Sequence, residues 1–591
     1  MSEVGPEVPG RHFPPQVLRQ YAFLGDGYRG ALIGPRGDVG WLCAPVWDSP
    51  PAFAQLVGGR GLYGVTPQVP FVWGGYYEPG SLIWRSRWTA AGARVECREA
   101  LACPPDPHRL VLLRRVEPLD GSLPVEVVLQ VAHGLGPDVC ELRRDEGGSW
   151  VLDSRSRRIR WTGAADAVVD GEGVLTLRLE VPAGGRHDLV LEISDRALPA
   201  VPDPTTLWLA TEEYWASTVP DFTSSAAPRD ARHAYAVLRG LTAPGGGMVA
   251  AATVGMPERA EAGRNYDYRY VWLRDQAYAG LAVGVERADP LLDEAVAVST
   301  ARILEHGPDL APGYRLDGRP IPHEKRVDLR GYPGGCVITG NWVRGQFQLD
   351  TCGELLQLYA TAARHDHLTA DDLTAVGQLM DLIDRRWDVP DAGVWELHDA
   401  WWTHSRLACV AGLRVAARDI PSCDAVRAVT LADGILAEAS GRALAADGSW
   451  RRAPDVTGVD ASLLLPPVRG ALPPDDPRSL ATLRAVASDL VEDGYVYRYT
   501  TEDTPLGMAE GAFLMCGFAM CLAQLAAGDT IEAFRWFERQ RAACGPPGLL
   551  SEEFDVRQRQ LRGNLPQGFV HALLLECAQR LGTTNQGTSA A

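Results

Sequence analysis

Arg264-Asn265-Tyr266-Asp267-Tyr268-Arg269-Tyr270-Val271-Trp272-Leu273-Arg274-Asp275 stands at the point where the chain has changed its period. The stretch joins planar donors, carboxylates and aromatic rings, the ingredients for gripping hydroxyl groups and packing against a sugar face. On its own it reads equally as a helix start with a surface ion pair. Upstream of it, as far as about residue 195, short runs rich in branched residues predict strands over 125–131, 158–162, 174–181 and 187–193, separated by Gly, Pro and Asp clusters. A largely antiparallel β domain follows from that pattern. Residues 203–218 predict a helical connector begun by Thr205 or Thr206, with Leu207, Leu209, Ala210, Tyr214 and Trp215 on one face. From Arg229 onward helical patterns dominate: 231–241, 272–285, 291–305, 348–363, 370–386, 407–417, 509–527 and 530–544. Serial helices of this kind form a bundle, a solenoid or a closed barrel, and periodicity does not choose among these.

With 591 residues the chain is long enough for two or more domains. A formal net charge of -18 disfavours nonspecific attraction to nucleic acid or an anionic membrane and suits a neutral small molecule. All positive charge but Lys325 is arginine. The start shows no basic region followed by an apolar run, and no stretch reaches the length of apolar residues that spans a bilayer. The twelve cysteines are scattered without a CxxC pair, which reads as reduced core thiols and a cytoplasmic site. No ligand cluster demands a metal, and no cofactor is expected.

Two acidic segments suit hydrolysis of a glycosidic bond, which needs a proton for the departing oxygen and, in an inverting enzyme, a second carboxylate that activates water. In Gly393-Val394-Trp395-Glu396 a loop delivers a carboxyl beside an aromatic surface, where desolvation would keep it protonated. In Leu550-Ser551-Glu552-Glu553-Phe554-Asp555 three carboxylates crowd together, and spacing does not say which one is the base. Taken singly, each segment is more often a core aromatic beside a surface acid, or an acidic turn.

Six motifs in order carry a resemblance. NYDYRYVWLRD, GNWVRGQFQLD, GVWE, AEGAFLMC, LSEEFD and GNLPQGFVHA follow an N-terminal glycine turn and a WLC-P-DSP segment at 41–50. Over nearly its full length the chain resembles the glucoamylase-like glycoside hydrolase family 15, particularly its bacterial two-domain members. That resemblance implies an N-terminal antiparallel β-sandwich (1–200) and an (α/α)6-barrel catalytic domain (229–583); the helical pattern between them gives a linker (201–228), and the small, polar end gives a flexible tail (584–591). It implies Glu396 as general acid and Glu552 as general base, with Glu553 only a neighbour. It places Arg274 and Asp275 on the hydroxyls of the terminal glucose, Tyr268 near the reacting centre and Trp395 along the sugar pocket. Arg498 and Tyr499 resemble an element that contacts substrate, and Asn341, Trp342 and Glu510, in matching motifs, are expected to bind substrate as well; Gln567 and His571 also lie in matching motifs, and His571 alone reads more often as a packed helix residue.

The sequence departs from the bacterial pattern at Ile338-Thr339-Gly340-Asn341, at Trp342, where a small residue is usual, and at the tryptophan-rich 400–405. These changes bear on the leaving group. The reading is an inverting, exo-acting hydrolase releasing β-glucose from a small malto- or isomalto-type α-glucoside. Alternatives are a trehalase, a hydrolase of a specialised secondary-metabolite glucoside, a phosphorylase or transferase, and, in another class, a noncatalytic carbohydrate-binding protein.

Overall fold

The computed structural model describes residues 13–589 apart from residues 91, 155, 260–263, 501–505 and 509, with side chains to residue 584. The N-terminal part, to Ser194, is antiparallel β. An eight-stranded sheet faces a five-stranded one centred on Val125–Ala132, which pairs with Leu62–Pro67 on one edge and Leu175–Leu179 on the other. Val125, Val127, Leu129 and Val131 meet Leu110, Leu112, Leu189 and Leu191 in one core. The period-2 alternation of each strand supplies that apolar face.

A small four-stranded sheet, Ala22–Gly25, Gly30–Ile33, Val39–Cys43 and Pro51–Phe53, lies between this core and the next. Ala22, Leu24, Ala31, Ile33 and Leu42 join the sandwich core, whereas Phe23, Leu32, Trp41 and Cys43 join the core of the helical half. Successive side chains point to opposite faces of a strand, so one sheet serves both cores.

The connector is helix α1 (Pro204–Thr218), and α2 (Pro228–Leu241) opens the helical half. It continues with α3 (Leu273–Val283), α4 (Pro290–His306), α5 (Leu349–Ala363), α6 (Ala370–Arg386), α7 (Thr403–Asp419), α8 (Ala425–Arg442), α9 (Leu465–Val468), α10 (Pro477–Asp489), α11 (Leu514–Ala526), α12 (Thr530–Arg541) and α13 (Gly568–Ser589). Helices α3, α5, α7, α9, α11 and α13 pack in succession, and α13 returns to α3, closing a ring. Helices α2, α4, α6, α8, α10 and α12 cover it from outside. The architecture is therefore the closed (α/α)6 barrel. Its inner helices are buried nearly all round, and α5 and α7 approach so closely that a Cβ on Gly353 would lie 2.3 Å from the Ala408 carbonyl.

Several boundaries differ from the sequence reading for identifiable reasons. Asp203, not a threonine, caps α1, accepting from Thr206 N at 2.9 Å with Pro204 in the first turn. The buried face of α1 is Trp208, Thr211 and Trp215, and Leu209 is 60% exposed. Helix α7 starts four residues earlier than expected because Thr403, His404, Ser405 and Arg406 are polar yet buried. Residues 512 and 513, expected in a helix, form a two-residue strand paired with Glu553–Asp555; both are apolar and buried, so hydrophobicity does not separate the two states. Ala509, where that helix was expected to begin, lies outside the described residues. So do Ala590 and Ala591 at the end of the expected tail, whereas α13 runs to Ser589. Cysteine sulfurs are all unpaired and mostly buried. No helix among the described residues is long and apolar enough to cross a membrane.

Candidate active site

Residues 264–275 supply the short strand Val271–Trp272, which pairs with Gly313–Tyr314 and runs directly into α3. It is braced from the N-terminal half: Trp41 donates its indole N–H to the Ala252 carbonyl at 2.9 Å, and Arg269 reaches the Trp47 carbonyl at 3.3 Å while pairing with Asp267 at 2.7 Å. Segments carrying Trp342, Glu396, Arg498, Phe513, Glu552 and Gln567 complete a cleft at one end of the barrel, with about 560 Å³ of space that is open to solvent.

One wall is the turn 393–396. Buried Asp391 builds it, accepting from Gly393 N at 2.7 Å and Ser405 Oγ at 2.9 Å and pairing with Arg406 at 2.6 Å. Glu396 then takes φ +56°, the left-handed region, at a cost of about 1–3 kcal/mol for a residue with a Cβ. That conformation aims its carboxylate into the cleft. Trp272 Nε1 donates to Glu396 Oε1 at 2.7 Å and Arg274 Nη2 to the same oxygen at 3.2 Å. The other oxygen takes no hydrogen bond among the described residues, and the side chain is 17% exposed. Arg274 is itself fixed by Gln348 Oε1 at 2.8 Å. Trp395 lines the cleft but gives its N–H to Asp460 at 2.9 Å, so the aromatic partner of Glu396 is Trp272, not its sequence neighbour.

The opposite wall carries Glu552. Glu552, in the bend that leads into the strand Glu553–Asp555, lines the cleft, whereas Glu553 accepts from Gly511 N at 2.7 Å and lies 3.6 Å from Arg498. Tyr268 donates its hydroxyl to Glu552 Oε1 at 3.0 Å. Gly563, at φ +77°, packs so closely that a Cβ there would lie 3.0 Å from the Glu552 Cβ. Burial raises the Glu552 carboxyl well above the ordinary carboxylate range, the negative charge of Glu258 adds to this, and Arg498 and the Tyr268 hydrogen bond oppose it. Asp275 on the cleft floor is pushed up to about 7, first by burial and then by Glu396 against the pull of Arg274. Its Oδ1 has no partner among the described residues.

The model for glycosyl hydrolases family 15 matches residues 231–579, the whole helical ring, and one for a trehalase-like N-terminal domain matches residues 10–151. The chain belongs to glycosyl hydrolases family 15. This family 15 protein is a glycoside hydrolase. It is 30% identical to a trehalase of Mycobacterium tuberculosis, the alignment covering 95% of this chain and 89% of that one. It is also 30% identical to a trehalase of Mycolicibacterium smegmatis (95% and 90%) and 26% identical to Trehalase 1 of Sulfolobus acidocaldarius (94% and 98%). A bacterial glucoamylase solved with acarbose shares the fold at 14% identity, with a TM-score of 0.68 over 98% of this chain and 96% of that one.

Within this family 15 cleft the structure gathers Tyr268, Arg274, Asp275, Trp342, Trp395, Glu396, Arg498, Glu552 and Gln567. Three expected contacts lie off it. Asn341 is fully buried and caps the short turn Trp342–Gly345, accepting from Val343 N at 2.9 Å. Tyr499 packs its ring under Arg452, 3.3 Å from the guanidinium. Glu510 sits behind the wall, bound to Arg498. His571 is a packed helix residue, accepting from Leu550 N at 3.3 Å and lowered to about 3, chiefly by burial. Of the departures from the bacterial pattern only Trp342 reaches the cleft; Trp402 backs the 393–396 turn, 2.6 Å from where a Gly393 Cβ would stand. Glu258, Phe513, Met515 and Phe569 line the cleft without having been singled out. Glu258 follows Met256-Pro257 in irregular chain, where neither periodicity nor a motif marks it.

Proposed function

We propose that the chain hydrolyses trehalose with inversion, Glu396 acting as general acid and Glu552 as general base. The observation that carries this reading is the single cleft into which both carboxylates open from opposite walls, each held through one oxygen by a neutral aromatic donor. A terminal glucosyl unit enters with its far hydroxyls toward Arg274 and the free Oδ1 of Asp275 on the floor. Glu396 protonates the glycosidic oxygen through its unbonded oxygen as the bond lengthens. Glu552 takes a proton from water, which attacks the anomeric carbon from the other face. No metal or organic cofactor enters the scheme.

Kinship and the size of the cleft support this choice of leaving group. The relatives named above are trehalases along nearly their whole length, and the cleft is small, with the 44%-exposed Trp342 at its rim. The test is glucose release from trehalose, maltose and isomaltose assayed in parallel, with the anomers followed by NMR in the first minutes. Inversion at one ring of trehalose gives equal α- and β-glucose, since the leaving ring keeps its own configuration. Preference for maltose or isomaltose would overturn the substrate, and α-glucose alone from trehalose would overturn the mechanism.

A further inference from the structure

Glu258 lines the cleft on the wall of Glu552, and it is only 2% exposed. Its Oε2 lies 3.3 Å from Arg264 Nε and 3.5 Å from Arg498 Nη2. Carboxylate oxygens of Glu258, Glu510 and Glu553 come within 4.8 Å of one another, a spacing that would suit a metal ion. Arg498 already supplies positive charge there, bonded to Glu510 and 3.6 Å from Glu553. Together with Glu552 the wall holds four carboxylates against two guanidiniums, Arg264 and Arg498. The arrangement is short of positive charge, and Glu552 is the one of the four that turns into the cleft while bonded to neither arginine.

We propose that Glu258 is a positioning residue that sets the proton affinity of Glu552, and hence the pH at which water is activated, with Arg264 and Arg498 as its counterweight. This rests on Glu552 being the base. The groups that face Glu552 are the Tyr268 hydroxyl from the strand before α3, Glu396 from the opposite turn, Glu258 from the loop after α2, Arg498 from the loop before α11, and Glu553 next to it. Of these, Glu258 exerts the strongest charge effect, and it acts in the same direction as burial. A buried like charge on the same cleft wall disfavours the charged form of Glu552, and an effect of about one pH unit is expected. The consequence is a stronger base that is charged only toward higher pH.

The experiment compares pH profiles of kcat/KM for wild type, Glu258→Gln and Arg264→Gln. Removing the Glu258 charge moves the acid limb down by about one pH unit, and removing Arg264, which leaves Glu258 uncompensated, moves it up. Glu258→Asp restores the wild-type limb. A merely structural role would lower activity at every pH, or shift both limbs the same way, and either result overturns the proposal. Glu552→Gln is measured first: retained turnover would remove the base assignment without touching the electrostatics. The electrostatics are then read from the Glu552 carboxyl carbon in 13C-glutamate-labelled protein, the resonance being the one lost in Glu552→Gln. An unmoved titration of that resonance in Glu258→Gln overturns the proposal whether or not any glucoside is turned over.

Discussion

The two walls of the cleft deliver their carboxylates by different means. Glu396 stands on a strained turn, held in the left-handed region by a buried Asp391–Arg406 pair and open to solvent on one side. Glu552 stands in the bend just before the strand Glu553–Asp555, and what is unusual there is charge: burial among Glu258, Glu553 and Glu510 with two arginines between them. One wall stores conformational strain and the other electrostatic strain. A group that must hand over a proton to a bond of fixed direction needs aim, whereas a group that must accept one from water needs affinity.

Replacing either carboxylate tests the comparison most severely. Glu396→Gln and Glu552→Gln are each expected to lower kcat for the glucoside by roughly 10²–10⁴-fold, measured by glucose release at saturating substrate. Azide added to each variant sharpens the distinction: it can take the place of attacking water in the Glu552 variant but supplies no proton in the Glu396 variant. Matched removals of the two aromatic donors come next. Trp272→Phe and Tyr268→Phe each delete one hydrogen bond worth about 1 kcal/mol, or roughly fivefold in kcat/KM. The Tyr268 change should also move the acid limb of the pH profile upward, since its bond favours the charged form of Glu552; equal and pH-independent effects would erase the contrast between the walls.

The smallest effect is on stability. The raised Glu552 carboxyl binds its proton more tightly in the folded chain than in the unfolded one, so its contribution is full below the unfolded value near 4.3 and is lost as pH rises through the raised folded value. Glu552→Gln is therefore expected to melt higher relative to wild type at pH 8 than at pH 5, by a few degrees in a pH series of thermal melts. A constant difference would mean that the wall is not under charge strain.

The same contrast explains what was legible in the sequence. Strand and helix runs were readable wherever one face meets a core, as at 158–162 and 370–386, where the observed elements have the expected bounds. Reading failed where polar residues are buried, as at the start of α7, and where apolar residues are buried in either conformation, as at 512–513. Glu396 and Glu552 stood out only through ordered motifs, because nothing in their spacing records that two loops some 156 residues apart face one cleft. Trp395 was the natural aromatic partner for Glu396 by adjacency, yet a turn with φ +56° sends the two side chains to different neighbours, Asp460 and Trp272. Glu258 was silent because its significance is a sum of charges from four segments, which no local pattern encodes.

The small sheet that alternates between the two cores makes the domain border a poor place to cut. Phe23, Leu32 and Trp41 belong to the packing of the helical ring, although they precede it by about two hundred residues. A helical fragment beginning at 229 would be born with an open socket where those side chains sit, and with the Arg269 brace of the reaction strand unsupported. Separately expressed halves should thus be unable to substitute for the intact polypeptide unless mixed, and the full chain should melt in one calorimetric transition rather than two.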